Sequence, residues 1–257
     1  MVRYGDTVAL ETAELSFSRG ERVFVLGKSG SGKTTLSNLI KGRLLPLSGR
    51  VAVLGGDPAS EVVSVRKEIQ RHVAMIDQEF HLVPRMTVVE NILNGALGRV
   101  NPLRSLLGSF PACEWQRADE ILGEVELEGL GHRRVETLSG GQRQRVAIGR
   151  ALMQDAQIIL ADEPVSNLDP ELAEDALELL VECSKRREVT LIVNLHQPRL
   201  AKRFASRVIG LYQGKVVYDG APEELSADAE EFIYVGEAES SNRSNGVGHD
   251  RSSTTVA

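Results

Sequence analysis

Two periods of hydrophobicity alternate along this chain: apolar runs of four to six residues, and longer stretches where apolar positions recur every three to four. Arg22 to Leu26 (R-V-F-V-L), Val73 to Ile76, Ile158 to Ala161 and Thr190 to Leu195 are nearly continuous apolar runs. That pattern belongs to strands covered on both faces of a parallel sheet. Val8 to Phe17 is strand-like up to a turn at Gly20, and Val51 to Leu54 predicts a short strand stopped by Gly55-Gly56-Asp57-Pro58. Val208 to Tyr212 and Lys215 to Tyr218, joined by Gln213-Gly214, read as a strand pair.

The helical period begins at Thr34 to Lys41 and dominates residues 79–138, where no clear strand is visible. Thr87 with Glu90 three residues on is a capping-box pattern, and Trp115, Ala118, Ile121, Leu122 and Val125 mark one face of a further helix. Asn101 to Pro111 reads as a loop with a short helix. Leu172, Ala176, Leu180 and Cys183 fall in register over Pro170 to Arg187, and another helix starts at Pro198. Strands alternating with helices predict an α/β fold: a mainly parallel sheet core with an N-terminal antiparallel β region and an inserted helical lobe. The expected domain covers 1–236, with its sheet core at 1–78 and 155–236 and its helical lobe at 79–154. Residues 237–257, rich in Ser, Asn and Gly and without aromatics, predict a disordered tail.

Between the first of these buried strands and the first helix lies Gly27-Lys28-Ser29-Gly30-Ser31-Gly32-Lys33-Thr34, which fits the phosphate-binding pattern G-x-x-x-x-G-K-[ST]. A chain of this length meets the four fixed positions by chance about 1% of the time, and the strand and helix on either side lower that further. The glycines let the backbone wrap a polyphosphate with its N–H groups turned inward, and the helix N-terminus adds partial positive charge. Lys33 can reach the β- and γ-phosphates, the Thr34 hydroxyl can hold Mg²⁺, and Thr35 closes the nucleotide-binding stretch. A flexible Gly/Ser loop would share the composition, but not this context.

Composition changes the setting rather than the chemistry. A net charge of −6 argues against a nucleic-acid partner. No apolar run reaches the ~18–20 residues that a membrane span needs, and the first residues (M-V-R-Y-G-D) match neither a signal nor a transit peptide. Cys113 and Cys183 are far apart without metal-ligand spacing, and Cys183 reads as a reduced core residue. A soluble, cytosolic chain is expected, reaching a membrane only through partners.

Two further stretches carry chemistry. Ile158 to Ala161 ends in Asp162-Glu163, two acids at the carboxyl end of a buried strand, where open sheets place their ligands. Asp162 there can bind Mg²⁺ and Glu163 can polarise an attacking water. Leu138-Ser139-Gly140-Gly141-Gln142 pairs a Ser cap with a reciprocal Gln, and its glycines leave the helix start open to a phosphate.

Taken together, the loop at 27–34, L-S-G-G-Q at 138–142, I-I-L-A-D-E-P at 158–164, S-N-L-D at 166–169 and His196 resemble, in order and spacing, the ATP-binding subunits of ATP-binding-cassette (ABC) transporters. The resemblance covers about Tyr4 to Leu225. It implies a P-loop NTPase of the ABC cassette fold, using ATP and Mg²⁺. It implies that Gln78 senses Mg²⁺ and the transmembrane partner, and that Ser139, Gly140, Gly141 and Gln142 contact the ATP of a second copy. Asp169 would lie at the dimer seam, His196 on the γ-phosphate and Tyr4 against adenine. Here the sequence departs from the family, which normally has a strand before this tyrosine, whereas only Met1 to Arg3 precede Tyr4.

N-I-L-N-G-A-L-G-R at 91–99, R-S-L-L-G-S-F-P at 104–111, L-A-D-E-P-V-S-N-L-D-P at 160–170 and N-L-H-Q at 194–197 are most similar to importer subunits for phosphonates and related phosphorus oxyanions, including phosphite and hypophosphite. That implies permease partners, a periplasmic binding protein acting indirectly, and a peripheral place on the cytoplasmic face of the inner membrane. An importer of another solute, an exporter and a lipoprotein-release system share the cassette motifs. A cassette ATPase acting on DNA or ribosomes is disfavoured by the short stretch of about 60 residues between Gln78 and Ser139 and by the acidic balance.

Overall fold

The computed structural model describes residues 1–5, 7–11, 14–101 and 108–236. The expectations for the Tyr4 side chain, for 102–107 and for the tail at 237–257 lie outside what is described.

Strands β1 (Val2–Tyr4) and β2 (Thr7–Leu10) form a separate antiparallel pair. The main sheet runs β4 (Val73–Ile76), β5 (Ile158–Asp162), β6 (Thr190–Leu195), β3 (Arg22–Leu26), β7 (Arg207–Tyr212), β8 (Lys215–Gly220). All neighbours in it are parallel except β7 and β8. The central strand β3 is buried from Val23 to Leu26, as its apolar run predicts. Register decides where the chemistry falls. Leu26 stands opposite Leu195, and Asp162 opposite Asn194, so β3, β5 and β6 release their chains at one edge.

Around the sheet lie α1 (Lys33–Ile40), α2 (Val63–Arg71), α3 (Val88–Leu93), α4 (Ala112–Glu124), α5 (Gly140–Met153), α6 (Pro170–Arg186), α7 (Pro198–Phe204) and α8 (Ala227–Val235). Thr87 and Glu90 form the expected capping box on α3, as Ser139 and Gln142 do on α5. Helix α5 packs against α3, α4, α6 and β4. Val88, Ile92, Ile121 and Ile148 share one apolar cluster with Phe24 and Ile76 of the sheet. Burial of that continuous surface is the main favourable term holding the helices to the strands.

Three expectations need correction. Val51 to Leu54 makes no strand, only an isolated bridge from Val53 to Gly56. Leu54 and Gly55 both have positive φ (52° and 81°), so the chain reverses before a ladder can extend. Of the strand expected over Val8 to Phe17, the described residues form one only at Thr7–Leu10. Finally, Trp115 and Leu172 are 38% and 41% exposed, so each is the outlying end of its apolar face. Helix α2, absent from the expectations above, is mostly polar and buries Ile69 alone.

Candidate active site

The loop leaving β3 closes tightly on itself. A Cβ on Gly27 would lie 2.5 Å from the Leu211 carbonyl oxygen, and one on Gly32 would lie 2.6 Å from that of Ala9. Gly32 also has φ 110°, so only glycine turns the loop into α1 without strain. At the crest, a Cβ on Gly30 would meet nothing within 4 Å. Lys28, Ser29 and Gly30 are exposed there, whereas Ser31, Lys33 and Thr35 are buried and Thr34 faces solvent. The first turn of α1 contains no acid and accepts no side-chain cap, which leaves its N–H groups and positive end for an anion.

Lys33 folds back over the loop. Its Nζ donates to the carbonyl oxygens of Gly27 (2.8 Å) and Lys28 (3.2 Å), and stands 3.8 Å from Glu163 Oε1. Burial pushes its pKa below the usual lysine value, while Glu163 and Asp162 pull the other way. A desolvated ammonium flanked by carboxylates is poised to accept a polyanion in their place.

Beside it, Asp162 ends β5 and accepts from Asn194 Nδ2 at 2.8 Å. Glu163 follows in a left-handed conformation (φ 49°), at a cost of about 1–3 kcal/mol for a non-glycine residue. That turn is closed by Ser166, whose N–H and hydroxyl both donate to the Glu163 carbonyl. The result directs Glu163 Oε1 to His196 Nε2, with which it pairs, as well as towards Lys33. The His196 carbonyl in turn accepts from the Tyr234 hydroxyl of α8 at 3.0 Å. Thus Lys33, Asp162, Glu163 and His196, separated widely in sequence, converge at the sheet's carboxyl edge.

The residues present fit a magnesium nucleotide. The buried Ser31 hydroxyl has no partner inside the loop, the loop crest is open, and the residues expected to meet a metal, Thr34 and Asp162, offer hard oxygens. No group of three or more His, Cys, Asp or Glu side chains suited to a metal occurs among the described residues. Few protein ligands beside a phosphate site suit Mg²⁺, which keeps waters and binds substrate oxygens.

Not every expected residue joins this group. Gln78 is exposed, two residues beyond β4. Its loop is held from α5: the Arg150 guanidinium donates to the carbonyl oxygens of His81 (2.8 Å) and Phe80. Ser139, Gly140, Gly141 and Gln142 form the start of α5, where Ser139 Oγ accepts from the Gln142 N–H (3.3 Å) and Gln142 Oε1 from the Ser139 N–H (3.1 Å). Among the described residues no hydrogen bond links this turn to the loop at 27–34. Asp169 caps α6, accepting from the Leu172 N–H at 3.1 Å.

Asn194, Ser37 and Arg150 are site-supporting residues that the sequence reading passed over. The one visible signal was an asparagine inside an otherwise apolar buried strand.

A phosphate loop entering a helix, with acids at the end of another parallel strand of the same sheet, defines a P-loop nucleotide-binding protein. The profile of one family, ABC transporter, matches residues 10–166. Similar proteins include the phosphonates import ATP-binding protein PhnC 2 of Haloarcula marismortui, 40% identical over 89% of this chain and 84% of that one. The protein of the same name from Cupriavidus metallidurans is 43% identical over 95% and 87%. Among solved structures, the dimeric post-hydrolysis state of the ATP-binding cassette MJ0796 bound to ADP and Pi superposes with a TM-score of 0.72, at 32% identity over 86% of this chain and 94% of that one. The chain belongs to the ABC transporter family and has the fold of its ATP-binding cassettes.

Proposed function

We propose that this protein is the ATP-hydrolysing subunit of a membrane importer for phosphonates or related phosphorus oxyanions. The observation that carries the ATPase reading is the convergence of Lys33, Asp162, Glu163 and His196 on one edge beside an open phosphate loop. The importer and its solute class follow from the names of relatives about 40% identical over most of the chain.

In this reading Gly27 to Thr35 hold ATP, with Lys33 on the β- and γ-phosphates and Tyr4 against adenine. Thr34, Asp162 and Gln78 hold Mg²⁺, which when bound neutralises phosphate charge and orients the γ-phosphate. Glu163 accepts a proton from the attacking water, and His196 orients the γ-phosphate. Lys33 exchanges its loop carbonyls for phosphate oxygens, and Glu163 is released for the water as that ammonium turns away.

The exposed cap at Ser139–Gln142 would complete the site of a second copy, with Asp169 at the seam. The dimeric neighbour with ADP and Pi supports that arrangement. The sheet core (1–78 and 155–236) would carry the nucleotide, the helical lobe (79–154) would meet permease subunits, and a periplasmic binding protein would act through them. No helix among the described residues is long and apolar enough to cross a membrane, in keeping with peripheral attachment at the cytoplasmic face.

Glu163→Gln tests this most directly. It should bind ATP, form a stable dimer in size-exclusion chromatography and turn over about 10²–10⁴-fold more slowly; full-rate turnover would remove Glu163 as the base. Wild-type specific activity should fall on dilution, and activity independent of concentration would refute the shared site. A cognate binding protein that bound amino acids and no phosphonate would overturn the solute class.

A further inference from the structure

We infer that Asn194 is a positioning residue that orients Asp162 and ties it to the helix bearing Lys33 and Thr34. The inference rests on the proposed metal role of Asp162.

Strand β6 (T-L-I-V-N-L) is buried at every position, and Asn194 within it has no exposed surface. An amide there is surrounded by apolar packing, yet its bonds are specific. Nδ2 has two hydrogens and donates to two acceptors, Asp162 Oδ1 at 2.8 Å and Ser37 Oγ at 3.0 Å. The Asn194 carbonyl accepts from the Glu163 N–H at 3.1 Å. One residue therefore grips the acid at the end of β5 through its side chain and the next acid through its backbone. Turning the amide over would set Oδ1 against the Asp162 carboxylate, so the charge of Asp162 fixes the orientation.

Ser37 makes the arrangement more than a local pair. It lies four residues after Lys33, on the same face of α1, and is itself buried. The chain of contacts Asp162–Asn194–Ser37 thus joins β5, β6 and the helix that opens at the phosphate loop. One Asp162 oxygen is held by the amide and the other is left for a cation or its waters. Asn194 Oδ1, meanwhile, is buried without a partner. An unpaired buried oxygen destabilises a fold, so packing alone does not account for asparagine at this place; holding the carboxylate does.

The full-length protein with Asn194→Val provides the test, because valine suits a buried strand and removes the orphaned oxygen. A fluorescent ADP analogue is titrated with Mn²⁺ present and with the metal chelated; the ratio of the two affinities measures how far the metal tightens binding. Asn194→Val should keep metal-free affinity within about twofold and lose at least about tenfold of the tightening, the scale of losing a group that orients a metal ligand. Ser37→Ala, a milder change, should lose a few-fold, and it carries the test if the valine protein does not fold. Asp162→Ala separates the two claims. If it abolishes the tightening while Asn194→Val and Ser37→Ala retain all of it, Asn194 has no positioning role. If Asp162→Ala itself leaves the tightening intact, the metal role of Asp162 falls first.

Discussion

Two helix starts on this chain follow or contain glycine-rich turns, and they are finished to different degrees. The start of α1 is surrounded by its own chain: Lys33 buried over the loop, Glu163 and His196 paired beside it, Asp162 held by Asn194. The start of α5 has its cap, with Ser139 and Gln142 satisfying each other, and Arg143 folded back to donate to the Leu138 carbonyl at 2.7 Å, with no acid brought beside it. On the proposed function, one is a reaction site short of its outer wall and the other is a wall without a site. The proposed pairing of two copies, each supplying what the other lacks, would answer that asymmetry.

The comparison breaks most severely at Lys33. Lys33→Ala should weaken ATP binding by 100-fold or more in a calorimetric titration, since no other buried cation sits in the loop; near wild-type affinity would mean that the loop amides alone hold the nucleotide. Next comes the bare side. A Cβ on Gly141 would meet only Leu172, at 3.7 Å, so Gly141→Asp fits the single chain while placing a carboxylate where a phosphate would approach. Its melting temperature should stay near wild type and its turnover should fall at least about tenfold, by like-charge repulsion. Mixing Gly141→Asp with Lys33→Ala protein should restore part of the activity, because one of the two shared sites is then intact; a mixture as inactive as its parts would argue that the sites are not shared.

The smallest effect is a control at the other end of α1. Lys41, half-buried, donates to the Val73 carbonyl, and burial lowers its pKa to about 8. Between about 8 and its unfolded value of 10.5 the unfolded chain binds more protons, so wild-type stability rises with pH across that window. Lys41→Met should therefore be more stable than wild type at pH 7, by about 1 kcal/mol once screening is allowed for. The gap should close towards pH 10.5 in urea unfolding, with turnover unchanged.

Legibility followed the distance over which a feature is built. Gly27 to Thr34 could be read because close wrapping of a phosphate requires consecutive residues of particular types, and Asp162-Glu163 because acids abruptly end an apolar run. Asn194 and Ser37 could not, since their meeting depends on the register of β5 against β6 and on α1 packing across it, 157 residues apart in sequence. Helix α2 is mostly charged and polar (V-S-V-R-K-E-I-Q-R) and buries Ile69 alone, so little apolar sequence marks it. Val51 to Leu54 misled in the opposite sense: four residues with strand composition, turned back by Leu54 and Gly55 before they could pair.

Arg150 has a mechanical consequence. It sits in the last turn of α5, about 16 Å along the rod from Ser139 at 1.5 Å per residue, and grips two carbonyls just past Gln78. Phe80 and His81 both hold left-handed backbone angles (φ 60° and 46°), which leaves that segment little slack to absorb a displacement. Helix α5 is therefore a lever with a load at each end: a tilt that carries Ser139 towards another molecule swings the chain beside Gln78 in the same stroke.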